Sequence, residues 1–158
     1  MKKAIFKDYG KCFDRWRWEW FVTLTFRNPI TKERALSQLK EWNLLLCKTE
    51  SVQTAYVAVV NSTGWTPHIH ILMMGKNRHG KILLDVSTEK WQEHWSYTHI
   101  SGHYLPRRAD IQVVRSNWRA SRYLATNMKL WNPERYELVF YNKKLLAKCS
   151  PYSKIILD

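Results

Sequence analysis

The sequence predicts an α+β fold in which an antiparallel sheet of about five strands is flanked by helices, a sandwich of the ferredoxin type. Runs rich in β-branched residues alternate with stretches of helical apolar spacing, in the order strand, helix, strand, strand, short strand, helix, strand, helix. The second and third strands are joined by a link of hairpin length, which favours antiparallel neighbours. With 45% hydrophobic residues, the 158-residue chain can bury one sizeable core, so we predict a single domain. Its core spans about residues 18–142, and residues 143–158 form a basic tail.

The N-terminal region is basic and aromatic and leads into the first strand. From Arg15 to Trp20 tryptophans alternate with charged residues, a pattern that suits either a nucleic-acid groove or one face of the beginning of a strand. Residues 21–26 alternate as a strand does. A helix follows from its cap Thr31 to about Lys48, and its apolar stripe consists of Ala35, Leu36, Leu39, Trp42, Leu45 and Leu46.

The remaining elements are assigned by the same two periodicities. We predict strands at 54–61, 82–84, 110–115 and 136–141, and a strand within 66–75 that carries His68 and His70 and is closed by Gly75. We also predict a turn at 62–64 and helices from 87 and from 116 to about 130. In the first of these helices Ser87 is the cap, and Trp91 and Trp95 pack inward. The inner stripe of the last helix comprises Ala120, Leu124 and Trp131. The tail from residue 142 is left unassigned.

The charge balance favours a nucleic-acid partner. Twenty-six Lys and Arg against thirteen Asp and Glu give a formal charge of +13, and such a field attracts polyanions. Nine tryptophans and eight tyrosines add flat surfaces on which unpaired bases can stack. A basic protein with most of its tryptophans in the core would have the same composition, so residue patterns must support the choice.

Cysteine usage and hydropathy indicate the compartment. Cys12, Cys47 and Cys149 are widely spaced and form no CxxC pair. This spacing is typical of reduced thiols rather than of a disulfide frame or a zinc site. The N-terminus lacks the apolar run of a signal peptide, and no stretch reaches the about 18 apolar residues of a membrane span. We therefore expect a cytoplasmic, DNA-associated protein with no membrane partner.

Two histidines on one predicted strand are the clearest candidates for chemistry. Because strand side chains alternate, His68 and His70 should project to one side while Ile69 and Ile71 pack on the other. Imidazoles at positions i and i+2 can share a divalent metal. The same spacing also occurs where both histidines are only structural. Three further histidines lack such a spacing and are expected on the surface or in loops: His94, His99 and His103.

A tyrosine on the last predicted helix supplies a candidate nucleophile. Tyr123 and Asn127 lie four residues apart and therefore share a helical face. Phosphodiester transfer needs an oxygen nucleophile, and a tyrosine can form a covalent phosphotyrosine beside a histidine-held Mg²⁺ or Mn²⁺. A free phenol, with a pKa of about 10, is rarely ionised at neutral pH, so the metal or a cation such as Lys129 must assist. Tyr136 and Tyr141 are rival nucleophiles whose strand pattern suits packing better.

Three segments together resemble the motifs of the HUH endonucleases: Phe21–Phe26, Gly64–Leu72 and Tyr123 on a late helix. The Gly-Trp-x-Pro-His-hydrophobic-His run is most similar to rolling-circle replication initiators (Rep proteins) of plasmids and phages, and the resemblance covers about residues 18–142. It implies an RRM-like nuclease fold and a site-specific enzyme that nicks and rejoins single-stranded DNA. It further implies Mn²⁺ or Mg²⁺ on His68 and His70, with Tyr123 as the single catalytic tyrosine that forms a 5′-phosphotyrosine.

Two features depart from the initiator pattern. The lysine expected three residues after the tyrosine is replaced by Thr126, and Lys129 is the candidate substitute, although helical geometry turns it away from the tyrosine. Many initiators place a glutamate ligand on the strand before the histidines, whereas this strand ends at Asn61. Related HUH transposases take the third ligand from a Gln or Asn four residues after the tyrosine. That spacing makes Asn127 the preferred third ligand and Asn61 the weaker candidate.

DNA contacts are expected from a tryptophan beside the histidines and from arginines that precede or share the tyrosine helix: Trp65, Arg107, Arg108, Arg115, Arg119 and Arg122. Arg119 is one helical turn from Tyr123 and could contact the scissile phosphate. Trp65 could stack a base or fill the edge of the sheet.

Three functions remain open at this point. The first is a rolling-circle initiator nuclease, which would depend on a host helicase because the chain contains no Walker-type phosphate-binding run. The second is a single-strand HUH transposase of the REP-associated type. The third is a non-catalytic RRM-like nucleic-acid-binding module. Gly64 and Trp65 favour the first function, and the Tyr-x-x-x-Asn spacing favours the second.

Overall fold

The computed structural model describes residues 2–61, 67–96, 99–100, 103–104, 108–127 and 136–149. The helices are α1 (Lys2–Phe13), α2 (Lys32–Glu50), α3 (Thr88–Ser96), α4 (Asn117–Asn127) and α5 (Lys143–Cys149). The strands are β1 (Trp20–Thr25), β2 (Gln53–Asn61), β3 (His68–Lys76), β4 (His99–Ile100), β5 (His103–Tyr104), β6 (Arg108–Val113) and β7 (Tyr136–Tyr141).

The main sheet has five antiparallel strands in the order β6-β1-β3-β2-β7. Its first four strands, with α2 and α3 as crossovers, form the split βαβ arrangement of ferredoxin-like folds, and β7 is added beside β2. The strands β4 and β5 form a separate two-stranded ribbon. The predicted α+β class, an antiparallel sheet of about five strands flanked by helices, is confirmed.

The sheet buries both of its faces, because helices pack on either side. On one face α2 and α3 cover a core that includes Trp20, Leu24, Leu39, Trp42, Ile69, Ile71, Trp91 and Trp95. On the other face α1, α4 and α5 cover a second core that includes Phe13, Trp16, Trp18, Val57, Leu72, Leu124 and Leu146. The candidate site lies at one end of this second face, where the apolar layer gives way to polar side chains.

Several local predictions need correction. The N-terminal region contains helix α1, and Trp16, Trp18 and Trp20 are 1%, 4% and 0% exposed, so these tryptophans do not line a nucleic-acid groove. They also belong to two different cores rather than to one strand face.

Two further predictions are wrong, one for the segment at 82–84 and one for Leu45 of α2. The segment predicted as a strand at 82–84 is a 3₁₀ turn at Leu83–Asp85, which pairs with the sheet through an isolated bridge at Ile82 and buries Leu83 against β3. Leu45 is 39% exposed and lies outside the apolar stripe of α2. The predicted turn at 62–64, the last residues of the tyrosine helix and Trp131 fall outside the described residues.

Gly10 lies at the close approach of α1 and α4. A Cβ added at Gly10 would lie 3.6 Å from the Cα of Arg122 and 3.9 Å from the Cβ of Ala125. The missing side chain therefore allows the two helix backbones to pack closely. Through this contact α1 supports the helix that carries Tyr123.

Two observations concern the outer surfaces. None of the described helices combines the length and the apolar character needed to cross a membrane. At the edge strand β6, the Ile111 N–H donates to Gln92 Oε1 at 2.7 Å, so α3 satisfies a backbone group that the sheet leaves unpaired.

Glu50 at the end of α2 connects this helix to α3 and to the loop after β3. Its carboxylate accepts hydrogen bonds from Lys90 Nζ at 2.8 Å, Trp91 Nε1 at 2.9 Å and Lys81 Nζ at 3.2 Å. These donors, Lys90 first among them, lower the pKa of Glu50 to about 2. A carboxyl whose folded pKa lies below its ordinary value contributes stability above that ordinary value and loses it as the pH falls through the folded pKa.

We expect Glu50→Gln to lower the free energy of unfolding by about 1–2 kcal/mol at neutral pH, since it removes the charge from these hydrogen bonds. The difference from the unchanged protein should shrink as the pH falls from the ordinary pKa of 4.5 towards about 2. Urea unfolding across this pH range measures it. Glu41→Gln, an exposed carboxylate on the same helix, is the matched control and should show little difference. A difference for Glu50→Gln that does not change with pH would contradict the assignment.

Candidate active site

β3 places His68 and His70 together on the sheet face that carries α4. Ile69 and Ile71 are fully buried in the opposite core, as the alternation of strand side chains predicts. The two imidazole centroids lie 4.7 Å apart, with their planes at 69°. The structure therefore brings the two predicted nitrogen donors side by side.

Thr23 on β1 faces His70 across the antiparallel ladder. Its Oγ1 lies 3.1 Å from His70 Nδ1, within hydrogen-bonding distance. When Nδ1 carries the proton and donates to the hydroxyl, the lone pair of Nε2 is left for a metal ion. Thr23 thus contributes to the orientation of the ring.

The environment of His70 favours a neutral imidazole. Burial in the protein, and secondly the neighbouring His68, lower the pKa of His70 from 6.5 to about 4. At neutral pH the ring is therefore uncharged, which is the form that binds metals.

Tyr123 on α4 stands beside the histidines. Its ring makes an edge contact with Phe21 at 5.4 Å between centroids and another with His70 at 6.3 Å. The neighbouring residues Leu124 and Ala125 are fully buried and anchor the helix, whereas Tyr123 is 55% exposed. The phenol is consequently fixed at its apolar base and accessible to a substrate.

An open groove of about 930 Å³ runs from Tyr123 along β6 and the beginning of α4. Its wall includes Phe21, Thr23, Asp110, Gln112, Arg115, Arg119 and Tyr123. Arg119 and Arg115 bring positive charge to this groove, and the Asp110 carboxylate accepts a hydrogen bond from the Gln112 amide at 2.8 Å. A flexible anionic chain could lie in this groove and reach Tyr123 from the side of Arg119.

The third metal ligand stays a prediction. Asn61 faces His68 in the ladder between β2 and β3, and Asn127 is the last residue of α4, one turn beyond Tyr123, with its side chain outside the described part of the structure. Within the described ranges no group of three His, Cys, Asp or Glu side chains is arranged to hold a metal ion. A candidate amide oxygen and water are the ligands that Mn²⁺ and Mg²⁺ prefer, whereas imidazole nitrogens are typical of other transition metals, so the identity of the ion also stays a prediction.

The other predicted site residues occupy three kinds of position. Trp65, Arg107 and Lys129 lie outside the described residues. Arg108 is exposed at the beginning of β6 and pairs with Thr25, which in turn faces His68, so it borders the site. Arg122 lies on the side of α4 that approaches Gly10 of α1 rather than in the groove.

The two rival tyrosines of β7 differ in position. Tyr136 faces Asn61 in the ladder and packs against the core on the histidine side of the sheet. Tyr141 stacks on Tyr56, with 4.7 Å between the ring centroids and 11° between the ring planes, and it packs against the opposite core. Among the described tyrosines of β7, Tyr136 is therefore the closer rival to Tyr123.

Thr23, Phe21 and Asp110 were not identified as site residues from the sequence. Alternation along residues 21–26 indicates that Phe21 and Thr23 share a face. The register that sets Thr23 against both His70 and Asp110 comes from pairing with two distant segments. No local signal in the sequence carries that register.

Comparisons with protein families, curated proteins and solved structures gave no match for this chain. The chemical interpretation of the site therefore depends on the side chains that form it. The site combines two adjacent imidazoles, one of them held neutral, with an accessible phenol and a groove that carries two arginines.

Proposed function

We propose that this chain is a metal-dependent endonuclease that nicks single-stranded DNA and rejoins it through a covalent 5′-phosphotyrosine, as rolling-circle replication initiators do. The observation that carries this proposal is the convergence of three side chains. The ring centroids of Tyr123 and His70 lie 6.3 Å apart, and those of His70 and His68 lie 4.7 Å apart. The resemblance of the sequence motifs to HUH endonucleases supports the same function.

In the proposed reaction the Tyr123 oxygen attacks the phosphorus of the scissile phosphodiester as its proton is lost. The bond from phosphorus to the 3′ oxygen breaks, and that oxygen leaves as a 3′-hydroxyl after taking up a proton. The strand that begins with the 5′ phosphate stays attached to Tyr123. In the reverse direction a 3′-hydroxyl attacks the phosphotyrosine and restores both the phosphodiester and the phenol, so rejoining needs no nucleotide cofactor.

The side chains around Tyr123 have separate roles in this proposal. His68 and His70 would hold Mn²⁺ or Mg²⁺, which polarises the scissile phosphate and stabilises the charge that develops on it. Thr23 would orient the His70 ring through the contact between its Oγ1 and Nδ1. Arg119 lines the groove beside Tyr123 and is suited to bind a non-bridging phosphate oxygen through its guanidinium group.

The charge of the chain supports a DNA substrate. A formal charge of +13 raises the rate of encounter with a polyanion. The groove is open to solvent, so an internal segment of a strand could enter it without a free end. Site-specific cleavage at an origin would then depend on contacts from Arg108, Arg115 and Arg119.

A single-strand transposase is the second candidate. It is favoured by the spacing of Tyr123 and Asn127, which lie one turn apart on α4. The chemical steps would be the same, and the two functions differ in the DNA that is cut. An initiator cuts at a replication origin and cooperates with a host helicase, whereas a transposase cuts at the ends of its own element.

The test is incubation with a library of single-stranded DNA oligonucleotides and Mn²⁺, resolved on a denaturing protein gel. We expect a boiling-resistant adduct that does not form in EDTA, and sequencing of the attached DNA identifies the recognised site. Tight binding without an adduct for any oligonucleotide would instead support a non-catalytic, RRM-like binding module with structural histidines.

A further inference from the structure

A second cleft lies at the opposite end of α4 from Tyr123. It has a volume of about 860 Å³ and is formed by the chain before β1, the end of β3, the turn before α4 and helix α5. Val114 and Arg115 line both this cleft and the groove that leads to Tyr123. The two depressions therefore meet at the turn that precedes α4.

The cleft has an excess of positive charge. Its cationic side chains are Arg15, Arg17, Lys76, Arg115 and Lys148. The two acidic residues are engaged with neutral partners: Asp14 accepts a hydrogen bond from Asn117 Nδ2 at 2.6 Å, and Glu19 accepts one from the Gly75 N–H at 2.7 Å.

The exposed cations of the cleft form no salt bridge with a carboxylate of the described residues. Arg17, Lys76 and Lys148 are exposed. The salt bridges between described residues are those of Lys81 and Lys90 with Glu50, on another part of the surface. The cleft therefore presents cations towards solvent on the route that leads from Arg115 to Tyr123.

The character of the cleft wall indicates how a nucleic acid would be bound. Trp16 and Trp18 belong to this wall but are only 1% and 4% exposed, so they cannot stack bases. Contact would be with phosphates and would carry little sequence information. Arg115 lies just before α4, and the first residue of that helix, Asn117, precedes Tyr123 by about 9 Å along the helix axis.

We infer that this cleft binds the phosphates of the DNA strand that flanks the cleavage site. The inference rests on the proposed function and extends its substrate contact beyond the groove. A single strand is the favoured ligand because the cleft adjoins, at Val114 and Arg115, the groove that would hold the single strand in the proposed reaction.

The test compares two variants with the same loss of charge. The cleft variant combines Arg17→Gln, Lys76→Gln and Lys148→Gln, and the control combines Arg34→Gln, Lys40→Gln and Lys48→Gln on α2, where these residues are exposed on the far side of the sheet. Binding of an oligothymidylate of about 24 nucleotides, longer than a typical single-strand site, is measured against salt concentration. The slope of log K against log salt should fall by about 2 in the cleft variant, since each lost phosphate contact contributes about 0.7. The control should retain most of the original slope.

Cys149 gives a second readout because its exposed thiol lies in the cleft wall. Saturating oligothymidylate should slow alkylation of Cys149 several-fold, as read by mass spectrometry, and should protect it less in the cleft variant. Equal slopes in the two variants, or an unprotected Cys149, overturn the inference. Equal protection by a duplex overturns the assignment to a single strand. Absence of a covalent adduct bears on the proposed function alone, because binding and thiol protection do not require cleavage.

Discussion

Tyr123→Phe should abolish the covalent protein–DNA adduct, with a loss of at least about 10³-fold, because the substitution removes the oxygen that bonds to phosphorus. Single-strand binding should be nearly unchanged. The edge contacts of the ring with Phe21 and His70 need no hydroxyl, so the fold should also be retained. Quantified adduct on a denaturing gel, together with a binding isotherm, separates these two effects.

Tyr136→Phe is the matched control, because Tyr136 lies on the same sheet face but is only partly exposed and packs against the core. It should form the adduct at a rate close to that of the unchanged chain. An adduct that survives Tyr123→Phe and disappears with Tyr136→Phe would transfer the nucleophile to β7. Peptide mapping of the adduct identifies the attached tyrosine directly.

His70→Ala should reduce metal-dependent adduct formation by more than about 100-fold, since loss of partners one shell beyond a metal ligand already costs about 10–100-fold. His68→Ala should have a similar effect, because the two rings would share the ion. Mn²⁺ binding, measured by electron paramagnetic resonance, should weaken in parallel with activity. Loss of activity with unaltered Mn²⁺ affinity would mean that the histidines act in another way.

His79→Ala provides the control for the histidine variants. His79 is exposed in the loop after β3, at the end of the strand away from His68. Its removal should leave both Mn²⁺ affinity and adduct formation unchanged. An equal effect of all three substitutions would point to a general loss of stability or charge.

The elements with strong periodicity were predictable, and the unpredicted ones depend on contacts distant in the sequence. The alternation of residues 21–26 and the stripe of α2 are local patterns, and the structure has both. Helix α1 was not predicted, because Gly10 interrupts its pattern and only the approach of α4 explains a glycine there. The segment at 82–84 has a strand-like composition, but its second half turns into a 3₁₀ helix.

The same distinction applies to the candidate site. The shared face of His68 and His70 follows from strand alternation alone. The hydrogen bond of Thr23 with His70 joins positions 47 residues apart, and the groove requires β6 to pair with β1. These relations depend on strand register, which is decided by the packing of the whole sheet.

The histidines and the tyrosine of the candidate site belong to elements that are held in the fold by different contacts. β3 is hydrogen-bonded to a neighbour along both edges, so the backbone of His68 and His70 can be released only by opening the sheet at its centre. Tyr123 belongs to an outer helix whose support includes the contact at Gly10, and loosening of that contact would displace the phenol while the imidazoles stayed in place. In the proposed reaction the attached strand would therefore be held by the outer layer of the fold, whereas both histidines are held by a central strand of the sheet.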